Sequence, residues 1–199
     1  MSIFADPEQP SSETVRILFL HGLEGSPTGE KALHLQDLWD VGCPTLRTDK
    51  LLQLRSHLGQ KKWQSAGKKR LDEALQPAYI DACDAVRYMK PSVVVGSSMG
   101  GALLAKMVIE GMWSGDCVFL APAIEDLLGS VILPEMNSSV WVLGECDDIV
   151  ANTPNIQHCK SVRGNLVISP HDGHRLQRAV KNGLIDAAIT TALEVSCHT

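Results

Sequence analysis

The sequence lacks a long apolar run, an excess of positive charge and an apolar N-terminal start. Its apolar stretches are short and broken by Gly, Asp or Pro, so no segment is predicted to span a bilayer. The formal net charge of −5 gives the chain as a whole no attraction to nucleic acid or to an anionic membrane. Residues 1–14 are polar and do not resemble a secretion signal, so we expect a flexible N-terminal tail there and a cytoplasmic location.

The six cysteines are far apart in the sequence and form no C-x-x-C pair. None is spaced with a histidine in the pattern of a metal site. In a chain without a predicted signal peptide we expect these thiols to stay reduced, and we expect no metal ion and no cofactor.

Short apolar segments alternate with amphipathic ones along the 199 residues, which predicts a single α/β domain over residues 15–199. The near-continuous apolar runs are typical of parallel strands that are covered on both faces. The predicted strands are Val15–Leu20, Cys43–Thr48, Ser92–Val95, Cys117–Leu120, Ser139–Leu143 and Asn165–Ser169. The predicted helices cover Lys31–Trp39, the segment from Pro77 to Pro91, the segment from Ser98 to Gly111, and a last helix from near His174 to Val195.

The most informative motif is Gly96-Ser97-Ser98-Met99-Gly100, between a predicted strand and a predicted helix. A serine at the apex of so sharp a turn needs glycine two residues before it and two residues after it. Ser98 has both glycines and Ser97 does not, so we interpret Ser98 as a nucleophile rather than as a serine that caps a helix.

A serine nucleophile needs a base and a group that orients the base. The base is expected after the last strand, where His171 and His174 compete, and we favour His174 because it follows a glycine and begins a helix. The orienting acid is expected after the preceding strand, where Asp147 and Asp148 compete and one of them could only cap the next turn. The spacing from Gly144 favours Asp147.

The reaction also needs N–H donors for the oxyanion that forms on the substrate carbonyl. Met99, directly after the serine at a helix N-terminus, is expected to supply one. The loop after the first strand is expected to supply the second from Leu23, because Gly22 lets this backbone approach the serine. His21 is interpreted as a brace for the loop. For Glu24 two interpretations stay open: contact with the substrate, or contact with solvent only.

The motifs stand in the order serine, acid, histidine, which is the order of the α/β-hydrolases. Over roughly residues 15–195 the chain resembles that superfamily, and the stretch from His21 to Pro27, with Lys31 beyond it, is similar to its small bacterial esterase-like hydrolases. The resemblance rests on Phe19-Leu20-His21-Gly22, Gly96–Gly100, Gly144-Glu145-Cys146-Asp147 and Gly173-His174.

The resemblance implies a three-layer fold of about six mostly parallel strands flanked by helices. Two features of the superfamily are missing from the sequence: the antiparallel opening strands and the cap insertion after the fourth predicted strand. A site without a cap is open to water, which favours hydrolysis over reactions that must exclude water.

The predicted activity is therefore that of a serine hydrolase that cleaves small carboxylic esters through an acyl-enzyme. Two alternatives remain open. The segment 51–76 carries six basic and two acidic residues, which favours a solvated helical excursion over a lid or a docking patch for an anionic substrate. A docking patch would indicate an acyl thioesterase that acts on an anionic carrier. The chain could also be a catalytically silent protein-binding module on a hydrolase scaffold. The oligomeric state is not encoded in any motif that we recognise.

Overall fold

The computed structural model describes residues 14–58 and 66–196. The expected tail over residues 1–14 lies outside the described residues except for Thr14, and Lys61, Lys62 and Cys197 also lie outside them. The described chain forms one six-stranded sheet in the order β2-β1-β3-β4-β5-β6, and all five strand pairs are parallel. The strands are β1 (Arg16–Leu20), β2 (Asp40–Gly42), β3 (Val93–Ser97), β4 (Asp116–Leu120), β5 (Ser139–Gly144) and β6 (Asn165–Ser169).

Helices cover both faces of the sheet. They are α1 (Glu30–Gln36), α2 (Asp49–Leu58), α3 (Lys68–Met89), α4 (Met99–Ile109), α5 (Ile124–Leu128), α6 (Asn152–Ser161), α7 (Gln177–Lys181) and α8 (Leu184–Ser196). Successive side chains of a strand point to opposite faces, and accordingly Leu18 packs with α2–α6 whereas Ile17 packs with α1, α7 and α8. Because both faces are buried, the central strands are apolar at nearly every position.

Five of the six predicted strands match the structure to within one or two residues. The second prediction, Cys43–Thr48, is wrong, because the strand that pairs with β1 is Asp40–Gly42. Pro44 has no N–H to donate to a ladder, which disfavours the predicted segment as a strand. Arg16 on β1 also fixes the observed pairing, since its Nε lies 3.0 Å from Oδ2 of Asp40.

Two helix predictions need correction. Pro77 does not begin a helix: it lies inside α3, a 22-residue helix whose apolar face packs into the core on both sides of the proline. The free energy that this packing contributes exceeds the cost of the one backbone hydrogen bond that Pro77 cannot make. The last predicted helix is two helices, α7 and α8, and Gly183 with φ 68° lies in the turn between them.

The segment that was predicted as a helical excursion or a docking patch contains most of α2 and the first turns of α3. Its described basic residues are exposed, except for the half-buried Arg55. No cap domain covers the carboxyl edge of the sheet in residues 14–58 and 66–196, where the chain between β4 and β5 holds only the short helix α5. In the same ranges no helix has the length and apolar character that a membrane crossing requires.

Candidate active site

The turn between β3 and α4 has the strained geometry that its glycines predict. Ser98 has φ 54° and ψ −113°, a backbone conformation that residues with a side chain rarely adopt. A Cβ on Gly100 would lie 1.9 Å from the Leu20 carbonyl oxygen, and a Cβ on Gly96 would lie 2.6 Å from that of Gly100. Any larger residue at either position would push the turn away from the sheet, so the sterics of this turn fix the place of the Ser98 side chain.

The neighbouring strand holds this turn on both sides. The Ser98 N–H donates to the Leu120 carbonyl at 2.9 Å, and the Ser98 carbonyl accepts the Ala123 N–H at 3.0 Å. Both partners lie at or beyond the end of β4, so the serine is anchored to the carboxyl edge of the sheet. Hydrogen bonds of this kind offset part of the strain in the Ser98 backbone.

Three side chains from three separate loops form one hydrogen-bonded chain at this edge. His174 Nε2 lies 2.8 Å from Ser98 Oγ, and His174 Nδ1 lies 2.8 Å from Asp147 Oδ2. The carboxylate can only accept, so Nδ1 carries the proton and Nε2 has its lone pair free to accept the Ser98 hydroxyl proton. This is the arrangement that a general base needs.

Asp147 makes both of the contacts that the sequence divided between Asp147 and Asp148, namely the contact with the histidine and the cap of the next turn. Its Oδ2 faces His174, while its Oδ1 caps the following turn by accepting the N–H groups of Ile149 and Val150 at 2.9 Å each. The side chain is fully buried. Burial alone would raise the pKa of Asp147, but the hydrogen bonds from His174, Val150 and Ile149 outweigh it and lower that pKa, so the carboxyl is ionised at neutral pH.

The competing candidates lie outside this chain of hydrogen bonds. Asp148 is exposed. The side chain of His171 is 78% exposed, and its backbone N–H donates to Glu145 at 2.8 Å. Ser97 is buried at the last position of β3, one residue before the turn. The structure therefore brings Ser98, His174 and Asp147 together and leaves His171 and Asp148 at the surface.

The loop after β1 lies against the serine, as the sequence indicates. A Cβ on Gly22 would lie 3.3 Å from the Ser98 Cβ, so this backbone passes within van der Waals distance of the nucleophile candidate. Leu23 follows directly, and Met99 is the first residue of α4, where N–H groups have no acceptor within the helix. His21 is buried and donates from Nδ1 to the Gly22 carbonyl at 2.8 Å, which agrees with a bracing role.

The sequence analysis missed Asp172, which supports the histidine loop from inside. Asp172 is 5% exposed, and its Oδ2 accepts the Ser169 hydroxyl at 3.0 Å and the Ala179 N–H at 2.8 Å. Its carbonyl accepts the Cys146 N–H at 2.8 Å, which ties the histidine loop to the acid loop. The only signal for Asp172 in the sequence is an acidic residue two positions before His174, and that signal does not indicate burial.

Ser98 and His174 line a cleft of about 380 Å³, whereas Asp147 lies behind the histidine and does not line it. Apolar residues form part of its wall, among them Leu23 and Ala123, together with Leu51 of α2. The charged residues of the wall are Glu24, Glu30, Lys31, Arg55, Asp126 and Arg175. Glu24 accepts a hydrogen bond from Arg55 at 2.9 Å, so its carboxylate faces this wall and not only solvent.

In the described ranges, 14–58 and 66–196, no group of three His, Cys, Asp or Glu side chains has the arrangement of a metal site. The five cysteines in those ranges are free thiols. Cys83 and Cys117 are buried core residues, whereas Cys43 is half-buried and Cys146 is exposed.

Comparison with known proteins finds similarity in fold but not in sequence. No protein-family model and no curated protein sequence matches the chain. A protein of Xanthomonas campestris assigned provisionally to the alpha/beta hydrolase superfamily aligns with a TM-score of 0.60 at 18% identity, covering 89% of this chain and 98% of that chain.

Two further solved structures align over a similar length. Est1E from Butyrivibrio proteoclasticus gives a TM-score of 0.63 at 15% identity, with 92% of this chain and 88% of that chain covered. Dienelactone hydrolase from Anabaena variabilis gives a TM-score of 0.56 at 18% identity, with 95% of this chain and 88% of that chain covered. The chain therefore has the α/β-hydrolase fold, and the resemblance inferred from its motifs is confirmed at that level.

Proposed function

We propose that this protein is a serine hydrolase that cleaves small carboxylic esters through an acyl-enzyme. The observation that carries the proposal is the continuous hydrogen-bonded chain from Ser98 Oγ through His174 to the buried Asp147 carboxylate. Two of the structurally similar proteins support an ester substrate: one is named as a hydrolase of dienelactone, which is a cyclic ester, and Est1E has been solved with ferulic acid, a carboxylic acid, bound.

In the proposed reaction, Ser98 Oγ attacks the ester carbonyl carbon while His174 Nε2 takes the hydroxyl proton. The imidazolium that forms is stabilised by the ionised Asp147 on the other ring nitrogen. His174 then gives the proton to the leaving oxygen as the carbon–oxygen bond breaks. His174 Nε2 then takes a proton from the water that attacks the acyl carbon, and it gives this proton to Ser98 Oγ as the acyl–Oγ bond breaks and the carboxylic acid leaves.

The N–H groups of Leu23 and Met99 are proposed to hold the oxyanion of the tetrahedral intermediate. Gly22 keeps the Leu23 backbone close to Ser98, and Met99 follows the nucleophile in the chain. Because both donors belong to rigid backbone, little reorganisation is needed when the charge develops. The uncapped cleft gives water access to the acyl-enzyme, which favours hydrolysis.

Thioesters on an anionic carrier are a second candidate substrate class. The observation in favour is a depression between α2 and α3 that is lined by Lys50, His57 and Arg70, with Glu73 as its one acidic residue. Comparing acyl-CoA with short p-nitrophenyl esters at low and high salt tests this candidate. Attraction between exposed charges fades with salt, so kcat/KM for acyl-CoA should fall while that for the neutral esters stays unchanged.

The primary test is labelling with a fluorophosphonate probe followed by peptide mapping. We expect the wild type to be labelled at Ser98 and not at Ser97, and we expect Ser98→Ala to fold normally without being labelled. His171→Ala is a matched control for His174→Ala: the first should keep the labelling rate and the second should lose it. A folded wild type that is not labelled would contradict the proposal and favour a protein-binding module.

A further inference from the structure

Two cationic side chains lie in the cleft wall beside the histidine. Arg175 follows His174 directly in the chain, and Lys31 comes from the first turn of α1. Burial lowers the pKa of Lys31, and the positive charge of Arg175 lowers it further, while Glu30 and Asp172 act in the opposite direction. Both cations line the same cleft, where Lys31 is half-buried and Arg175 is exposed.

The carboxylates of Glu30 and Asp172 act on Lys31 through space but form no ion pair with it or with Arg175. Within the described part of the chain, neither Lys31 nor Arg175 forms an ion pair with a carboxylate. Glu30 is exposed to solvent. Asp172 is buried, and its carboxylate already accepts hydrogen bonds from the Ser169 hydroxyl and the Ala179 N–H. A half-buried cation beside a second cation, with no ion-pair partner, is a favourable place for an anion from outside the chain.

The remaining cleft charges belong to other parts of the wall. Glu24 is paired with Arg55 of α2. Asp126 of α5 interacts electrostatically with Glu125, His174 and Asp147. Lys31 and Arg175 therefore come from α1 and the histidine loop, whereas Asp126 comes from α5 and acts on His174 from there.

The proton path decides which half of the substrate meets the cations. His174 must reach the leaving oxygen to protonate it, so the leaving group lies on the side of the histidine loop. We infer that Lys31 and Arg175 bind a negatively charged group on the leaving half of the ester, which makes them specificity-determining residues. This inference rests on the proposed serine hydrolysis and adds the substrate class: esters of an alcohol or thiol that carries an anionic group.

The test compares two acetate esters that differ in the charge of the leaving group. In 4-acetoxybenzoate the leaving phenol carries a carboxylate, and in 4-acetoxybenzamide a neutral amide of the same shape replaces it. We expect the wild type to prefer the benzoate in kcat/KM, and we expect Lys31→Gln and Arg175→Gln each to lower kcat/KM for the benzoate about tenfold. Hydrolysis of the benzamide should change by less than about twofold in both variants.

Matched controls come from α7, the helix that follows the histidine loop. Lys181→Gln and Arg178→Gln remove an exposed cation of α7 outside the cleft and should leave the preference unchanged. Lys31→Arg and Arg175→Lys keep the charge and should retain most of the preference, which separates charge from folding. Equal loss for the two esters, or no loss for either, overturns the inference.

A second pair of esters carries the charge on the acyl half, as phenyl glutarate and its neutral glutaramate. If the cation variants affect only this pair, the leaving-group assignment is wrong. Failure of the proposed function is distinguishable, because the wild type would then hydrolyse neither acetate ester. In that case the anion site can still be tested by calorimetric titration with 4-hydroxybenzoate and 4-hydroxybenzamide. We expect both Gln variants to bind 4-hydroxybenzoate more weakly than the wild type does. Equal affinity of the wild type and the variants for 4-hydroxybenzoate would contradict the anion site.

Discussion

The two ends of the candidate site are built in different ways. At the Ser98 turn, five consecutive residues supply the strained serine and its two glycines, and contacts with Leu20, Leu120 and Ala123 hold the turn against the sheet. At the acid and histidine end, Asp147 and His174 are 27 positions apart, and neighbouring strands bring them together. The difference shows that the Ser98 turn can be recognised from adjacent residues, although distant strands also hold it, whereas the pairing of Asp147 with His174 forms only when two distant loops meet.

The largest effect is expected at the acid. Asp147→Asn keeps the size of the side chain and the oxygen that caps the turn, but its NH₂ group would face His174 Nδ1 and favour the wrong tautomer. We expect kcat to fall by about 10⁴-fold with little change in the thermal midpoint. The measurement is the rate of ester hydrolysis, with Asp148→Asn as the matched control at nearly the wild-type rate. Similar losses in the two variants would contradict the assignment of Asp147.

The next largest effect is a difference in the free energy of unfolding between a substitution in the Ser98 turn and one in the histidine loop. Gly100→Ala places a Cβ 1.9 Å from the Leu20 carbonyl oxygen, whereas the nearest atom to a Cβ on Gly173, in the histidine loop, is the Cys146 carbonyl oxygen at 3.9 Å. We expect Gly100→Ala to lower the free energy of unfolding by about 3 kcal/mol or more, and Gly173→Ala to change it by less than about 1 kcal/mol. Urea denaturation measures both, and equal effects would remove the steric distinction between the two loops.

The smallest effect concerns the support of the histidine loop. Asp172→Ala leaves the Ser169 hydroxyl and the Ala179 N–H without their acceptor, and we expect the free energy of unfolding to fall by about 2 kcal/mol. Because the loop carries His174, kcat should fall more than KM rises. Asp172→Asn keeps one oxygen acceptor and should recover part of both losses. A stable Asp172→Ala variant with wild-type kcat would show that the loop needs no buried acceptor.

Most of the sheet could be predicted because its strands are apolar on both faces and end at recognisable turns. The second strand could not, since Asp40–Gly42 is short and lies at the edge of the sheet, where only pairing with β1 defines it. The prediction that Pro77 begins a helix is wrong for a similar reason. Proline favours the first turn of a helix, but burial of the surrounding apolar face of α3 keeps the helix continuous through Pro77. In both cases tertiary packing overrode a local preference.

The sequence by itself determined the fold class and the position of the Ser98 turn, because apolar periodicity and the spacing of glycines act between neighbouring residues. It also narrowed the acid and the histidine to two candidates each. Only the tertiary structure brought Asp147 and His174 together with Ser98, buried Asp172 beneath their loops and placed Lys31 of α1 in the same cleft wall as Arg175. Contacts of this kind join residues that are distant in the chain, and they exist only once the strands and helices have packed.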